Sequence, residues 1–150
     1  MDSIDKALLR ALMRDGRATW AALAELTGLS AAAVAQRVKR LEEAGVVQRY
    51  AAIVEPDAVD AGLLAYVAVR FANPKHRAAF LKLVSKLPWV QECHHTAGEM
   101  DYLLKVRCRG TKDLERLISV ELKDKCKVTE SRTSIVLASS KETTELFVAE

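Results

Sequence analysis

The stretch Thr19–Gly45, TWAALAELTGLSAAAVAQRVKRLEEAG, decides how this chain is read. Thr19 can cap a helix carrying Trp20, Leu23, Ala24, Leu26 and Thr27, and Gly28 stands where that helix must stop, which predicts a segment of only about eight residues. Ser30 then caps a second helix to about Ala44, with Val34, Val38 and Leu41 as its inward stripe and Gly45 as its end. Two short helices joined by a glycine-containing turn are the pattern of a helix-turn-helix. With Val34 facing inward, a helical period puts Ala32, Ala33, Gln36, Lys39 and Arg40 on the opposite face and Arg37 on its flank. No acid lies between Ser30 and Leu41, and Glu42 and Glu43 come only at the far end. Small alanines let the backbone approach a duplex, and Gln36 and the Arg side chains can reach base edges or phosphates. A solvated basic face on an ordinary core helix carries the same charges. The preceding short helix, the glycine turn and the Ser30 cap together favour DNA.

Working outward, Ile4, Ala7, Leu8, Ala11 and Leu12 recur at helical spacing upstream, with Asp2 or Ser3 available as N-cap and Asp15-Gly16 as the close. Downstream, Val46 to Val54 is rich in β-forming residues and predicts a strand or short wing, on which Arg49 would touch a phosphate. Pro56 breaks that run and Gly62 permits a turn, so residues 55–62 are expected to link a head at 1–54 to a second domain at 63–150.

The second domain alternates strand and helix. Leu63 to Phe71 predicts a strand, and Asn73-Pro74 opens a helix with Phe80, Leu83, Val84 and Leu87 inward, stopped by Pro88. Val90 to Ala97 and Tyr102 to Cys108 predict strands around the loop Gly98-Glu99-Met100-Asp101. Thr111 would cap a helix with Leu114, Leu117, Ile118 and Leu122 inward, and Val128 to Leu137 predicts the last strand. The order βαββαβ is the ferredoxin-like split motif. Its sheet should hold Cys93, Leu104 and Val106 under the helices, and show Glu92 or His94, Thr96, Lys105, Arg107, Arg132 and Ser134 on the other side. A half-polar sheet face of this kind suits pairing with a second copy in a symmetric dimer.

Gly98-Glu99-Met100-Asp101 crowds a glycine and two carboxylates into one strand connection. Free N–H groups there suit a carboxylate, and Glu99 or Asp101 suits an ammonium group, so the loop fits a free amino acid. An ordinary polar hairpin would have the same composition. No nucleophile or phosphate loop stands near the two acids, which leaves acid/base catalysis without its partners. Cys93-His94-His95 offers at most Cys93 and His95 to one metal, because adjacent strand residues point to opposite faces, and two ligands do not make a site.

Composition sets the outer bounds. The chain has 150 residues, 50% of them hydrophobic, and a net charge of +3. It can fill a core, which excludes disorder. Residues 1–54 carry eight Lys/Arg against six Asp/Glu, so two of the three excess positive charges fall in the head. The longest stretch free of charged side chains, Leu26 to Gln36, is too short for a membrane span, and the acidic start (Asp2, Asp5) lacks the order of a secretory signal. Three cysteines in no CxxC spacing point to reduced thiols. A cytoplasmic protein is expected.

These motifs together resemble the Lrp/AsnC family of transcription regulators. The residues that carry the likeness are Ile4-Asp5, Leu8-Leu9, Asp15-Gly16-Arg17, Leu23-Ala24, Gly28-Leu29-Ser30, Val34, Arg37-Val38, Arg40-Leu41-Glu42 and Gly45-Val46. In the second domain they are Gln91-Glu92-Cys93-His94, Gly98 and Asp101-Tyr102-Leu103-Leu104-Lys105. The resemblance implies an α+β chain with an N-terminal winged helix-turn-helix domain and a C-terminal ferredoxin-like βαββαβ domain, RAM- or ACT-like. It also implies double-stranded DNA as partner, dimers that assemble into octamers or another higher form, no cofactor, no enzymatic activity, and an amino acid or related metabolite as effector. Ser30, Ala32, Ala33, Gln36, Arg37, Lys39, Arg40 and Arg49 are the expected DNA contacts, and Gly98, Glu99, Met100, Asp101 and Ser134 the expected effector contacts. An ACT-like regulatory subunit that binds an amino acid and docks on an enzyme is the alternative. Glu99 stands where the family often has Asp, and Lys125-Cys126-Lys127 replaces a common Leu-Pro-Gly before the last strand.

Overall fold

A computed structural model describes residues 1–149, which form two compact units. The first contains α1 (Ser3–Arg14), α2 (Trp20–Thr27) and α3 (Ala31–Glu43). Its core is small: Leu8, Leu23, Val34 and Val38, with Ile4, Ala11, Leu12, Ala18, Ala24 and Leu29 packed around them. Local chemistry sets each helix boundary. Asp2 and Asp5 form a reciprocal capping box at the start of α1. Gly28 and Gly45, both at φ 70°, take the left-handed conformation that ends α2 and α3.

The segment after Gly45 forms no strand, which corrects the expected wing. A strand needs a hydrogen-bonded neighbour, and here Val46, Tyr50, Ile53 and Val54 stay exposed. Residues 141–149 group by contact with the helical unit. Arg10 on α1 donates to the Val148 carbonyl at 3.3 Å, the Leu146 N–H meets Met13 Sδ at 3.4 Å, and Arg14 lies 3.9 Å from Glu145.

The second unit spans Val54–Ser140. A single 3-10 turn, Pro56–Val59, breaks the linker, and the Asp57 side chain lies over Gly62, where a Cβ would fall 1.9 Å from its Oδ1 and oblige it to turn away. The strands are β1 (Leu63–Arg70), β2 (Val90–His95), β3 (Tyr102–Cys108) and β4 (Glu130–Ile135), in the order β2-β3-β1-β4 with every neighbouring pair antiparallel. Helices α4 (Arg77–Val84) and α5 (Thr111–Arg116) pack on one side through Phe80, Val84 and Leu114. Several ends differ from the sequence reading: β1 stops at Arg70 and β2 at His95, and α4 begins only after a 3-10 turn at Pro74–His76. Gly110, not Thr111, is the N-cap of α5, with no side-chain hydrogen bond, and the helix then widens into a π-helical stretch at Leu117–Lys125. The last strand, Glu130–Ile135, is shorter at both ends than Val128 to Leu137, and Lys127 takes a left-handed turn (φ 58°) before it.

Register settles the two sheet faces. Ala65, Val67 and Val69 pair with Val106, Leu104 and Tyr102 under the helices. Leu64, Tyr66 and Ala68 pair with Arg107, Lys105 and Leu103 on the open side. A bulge at Gln91 puts both Glu92 and His94 on that open side, opposite Lys105 and Leu103, and leaves Cys93 and His95 with the core face. Arg132 and Ser134 face the same way, opposite Ala68 and Tyr66.

Candidate nucleic-acid interface and effector loop

In the helical unit, side-chain caps set how α2 and α3 begin. Thr19 Oγ1 accepts from Ala22 N–H and Ser30 Oγ accepts from Ala33 N–H, both at 3.2 Å. Each cap satisfies a donor that would otherwise be unpaired at a helix start. Leu23 of α2 packs with Val34 and Val38 of α3, which turns the opposite side of α3 to solvent. Ala32, Gln36, Lys39 and Arg40 are exposed there and Ala33 half-buried. Lys39 lies 3.7 Å from Glu43, and Arg40 Nε reaches the Gln36 carbonyl at 3.5 Å. Both contacts are long and solvent-exposed, so neither fixes its cation. Arg49 is exposed on the segment beyond Gly45.

Arg37 does something else. Its guanidinium leaves the exposed face and donates from Nη1 to Asp2 Oδ2 at 2.7 Å and to Asp5 Oδ1 at 2.8 Å. These are the carboxylates of the capping box, in which Asp5 N–H donates to Asp2 and Asp2 N–H to Asp5. One side chain of α3 therefore clamps the start of α1. The Asp5 N–H first, and Arg37 second, hold the Asp2 carboxyl below the usual carboxylate range. The flank position of Arg37 and the Asp-x-x-Asp spacing at Asp2 and Asp5 were the signals in the sequence.

Tyr50 is a residue that sequence reasoning missed. Its hydroxyl donates to Glu42 Oε1 at 2.8 Å, and its ring lies where a Cβ on Gly16 would come within 3.3 Å. Partial desolvation of the hydroxyl, then the Glu42 carboxylate, pushes the phenol up to about 12. The tyrosine thus fixes the chain leaving α3 without any strand.

In the sheet unit, the loop between β2 and β3 is built around Asp101. Its N–H donates to the Val69 carbonyl at 2.8 Å, and its carbonyl accepts from Thr96 N–H at 2.9 Å. One carboxylate oxygen accepts from Phe71 N–H and the other from Arg77, each at 2.8 Å. Asp101, expected to face an ammonium group, has both oxygens committed to the protein, while the Thr96 hydroxyl donates to the Met100 carbonyl at 2.8 Å. Gly98, at φ 152°, takes a conformation that a side chain would disfavour. Glu99 reaches across to β4, where its two oxygens meet both terminal nitrogens of Arg132 at 2.6 and 2.8 Å. Arg132 holds Glu99 below the usual carboxylate range. Arg132 is also 3.2 Å from Glu130, which pairs with Arg70. Glu99, Arg132 and Ser134 therefore share the open side of the sheet, and Asp101 points away from them.

Comparison with known proteins agrees with both halves. Residues 1–42 match the model of the AsnC-type helix-turn-helix domain, and residues 64–146 match that of the Lrp/AsnC ligand binding domain. The chain belongs to the Lrp/AsnC family. It is 34% identical to the leucine-responsive regulatory protein of Escherichia coli over 150 residues, 99% of this chain and 92% of that one. A transcriptional regulator from Neisseria meningitidis, solved as an L-Met complex, superposes with a TM-score of 0.93 at 33% identity, covering 97% of this chain and 96% of the other. A feast or famine regulatory protein from M. tuberculosis complexed with L-methionine gives 0.89 at 36% identity, covering 97% of each. As an Lrp/AsnC member the chain is a transcriptional regulator with a DNA-binding helix-turn-helix and a ligand-binding domain. In Lrp/AsnC terms, the three-helix unit holds the helix-turn-helix domain and the four-stranded unit the ligand binding domain.

Proposed function

We propose that this regulator binds specific duplex sites through the outer face of α3, assembles as a homo-oligomer through its open sheet face, and responds to an amino acid held near residues 98–101. The exposed face of α3 carries the reading: Gln36, Lys39 and Arg40 project from it, with no acid between Ser30 and Leu41. Ala32 and Ala33 leave the start of the helix free of bulk, so the backbone at the Ser30 cap can approach a groove edge. Gln36 and Arg40 are the base-reading candidates, with Lys39 and Arg49 on phosphates. Arg37 serves by holding α3 on α1. The head is residues 1–54, the linker 55–62, and the sensing unit runs from 63, with the segment from Lys141 serving the head.

Dimerisation through the open face gives the DNA two copies of α3, and half-polar pairs such as Tyr66 beside Lys105 would be covered by the partner copy. Relatives solved with L-Met support an amino-acid effector, the one ligand class required, with no cofactor and no catalytic step. No helix among the described residues is long and apolar enough to cross a membrane, and the proposed place of action is the cytoplasm.

Electrophoretic shift of the DNA beside the protein's own gene, over a range of salt, tests this. Arg40→Ala is expected to weaken binding by about 1–3 kcal/mol if Arg40 reads a base, whereas Lys39→Ala should lower the salt slope by about one if it meets a phosphate. Unchanged binding in both variants would remove α3 from the interface.

A further inference from the structure

The Glu99–Arg132 pair lies on the open side of the sheet, at the loop where the proposed effector binds. In the single chain both side chains are more than half exposed, at 59% and 56%. An exposed pair of this kind adds little to folding, so its geometry is free to serve binding. The contact is nonetheless bidentate, two carboxylate oxygens on two guanidinium nitrogens, which is the arrangement by which an arginine recognises any carboxylate. Glu99 can make it because the glutamate side chain reaches from the loop as far as β4. Asp101, two residues on, is locked to Phe71 and Arg77 and cannot exchange partners without freeing the loop. Of the two loop acids, only Glu99 is held by a solvent-exposed side chain alone.

The geometry points to Glu99 as a built-in competitor: it occupies Arg132 in the free protein, and the carboxylate of the amino-acid effector displaces it. This rests on the reading of residues 98–101 as the effector site. The exchange conserves charge, one carboxylate replacing another on the same cation. Glu99, once released, is left beside the bound zwitterion, where it can accept from the ammonium group. Ligands would therefore be ranked by their α-carboxylate first. Glu130, on the same strand, lies 3.2 Å from the Nη2 that Glu99 also holds, so Arg132 keeps one carboxylate partner when Glu99 leaves.

The test is thermal-shift titration and calorimetry of the full chain with L-methionine, the other protein amino acids, N-acetyl-L-methionine and L-methioninamide, each alone. Glu99→Gln is expected to tighten N-acetyl-L-methionine, which has the carboxylate without the ammonium, by about twofold to fivefold, the scale of an exposed ion pair. Arg132→Gln is expected to weaken both L-methionine and its N-acetyl form by about tenfold or more, the scale of a charge-assisted hydrogen bond, and to leave L-methioninamide unchanged. If N-acetyl-L-methionine binds Glu99→Gln no more tightly than the natural chain, or Arg132→Gln binds it equally well, the competitor is overturned while an effector site in this unit still stands. If no amino acid shifts the natural chain or Glu99→Gln, the effector reading itself fails. Circular dichroism of both variants excludes misfolding, which these surface positions are not expected to cause.

Discussion

The helical unit and the sheet unit are held together in different ways. The head buries six apolar side chains on three short helices, and fastens its margins with polar contacts: Arg37 to Asp2 and Asp5, Tyr50 to Glu42, and the Thr19 and Ser30 caps. The sheet unit buries a much larger set, in which Phe71, Phe80 and Tyr102 meet with ring centroids 5.1 to 6.4 Å apart. A small unit cannot bury enough apolar surface to be rigid by packing alone, so specific hydrogen bonds decide its shape. A reading head needs defined geometry over a small surface, and a sensing unit needs a stable platform under exposed loops.

The sharpest way to break this contrast is Phe80→Ala. Loss of a fully buried ring should destabilise the sheet unit by about 3–5 kcal/mol and lower its calorimetric transition, leaving hydrogen-exchange protection of α3 in place. Equal loss of protection in both units would show one cooperative structure. Leu23→Ala, in the small core, should cost about 2–5 kcal/mol and release α2 and α3 while the sheet amides remain protected. Ser30→Ala should cost about 1 kcal/mol, seen as earlier fraying of α3 by exchange at Ala33.

Arg37→Ala is the finest test. It should lower DNA affinity without changing the salt slope, because no phosphate contact is lost, whereas a phosphate-binding arginine would lower the slope by about one. The clamp is also pH-dependent. Asp2 is held below its ordinary value of 3.8, so its contribution is complete above that value and disappears as acid protonates the folded form. Fraying of α1 below about pH 4, followed by NMR, is expected in the natural chain and absent in Asp2→Asn.

Elements whose boundary depends on one local residue were legible in the sequence. The starts of α2 and α3 at Thr19 and Ser30, their glycine ends, and β3 at Tyr102–Cys108 lie where spacing put them. What spacing leaves open is the partner that a distant segment supplies. Val46 to Val54 has the composition of a strand and finds no neighbour to pair with. Arg37 has the look of a groove-facing base and finds two carboxylates on α1. Asp101 reads as a free acid and closes on Phe71 and Arg77, while Glu99, with the same charge, remains within reach of Arg132 and solvent. Charge and period report what a side chain can do; only the fold reports which partner reaches it first.

The stretch from Lys141 onward returns to α1, so the helical unit is discontinuous along the chain and the sheet unit is an insertion within it. During synthesis the entire sheet unit leaves the ribosome before the residues that complete the head. The three helices emerge without Val148 against Arg10, and that contact forms only after the sheet unit has been made.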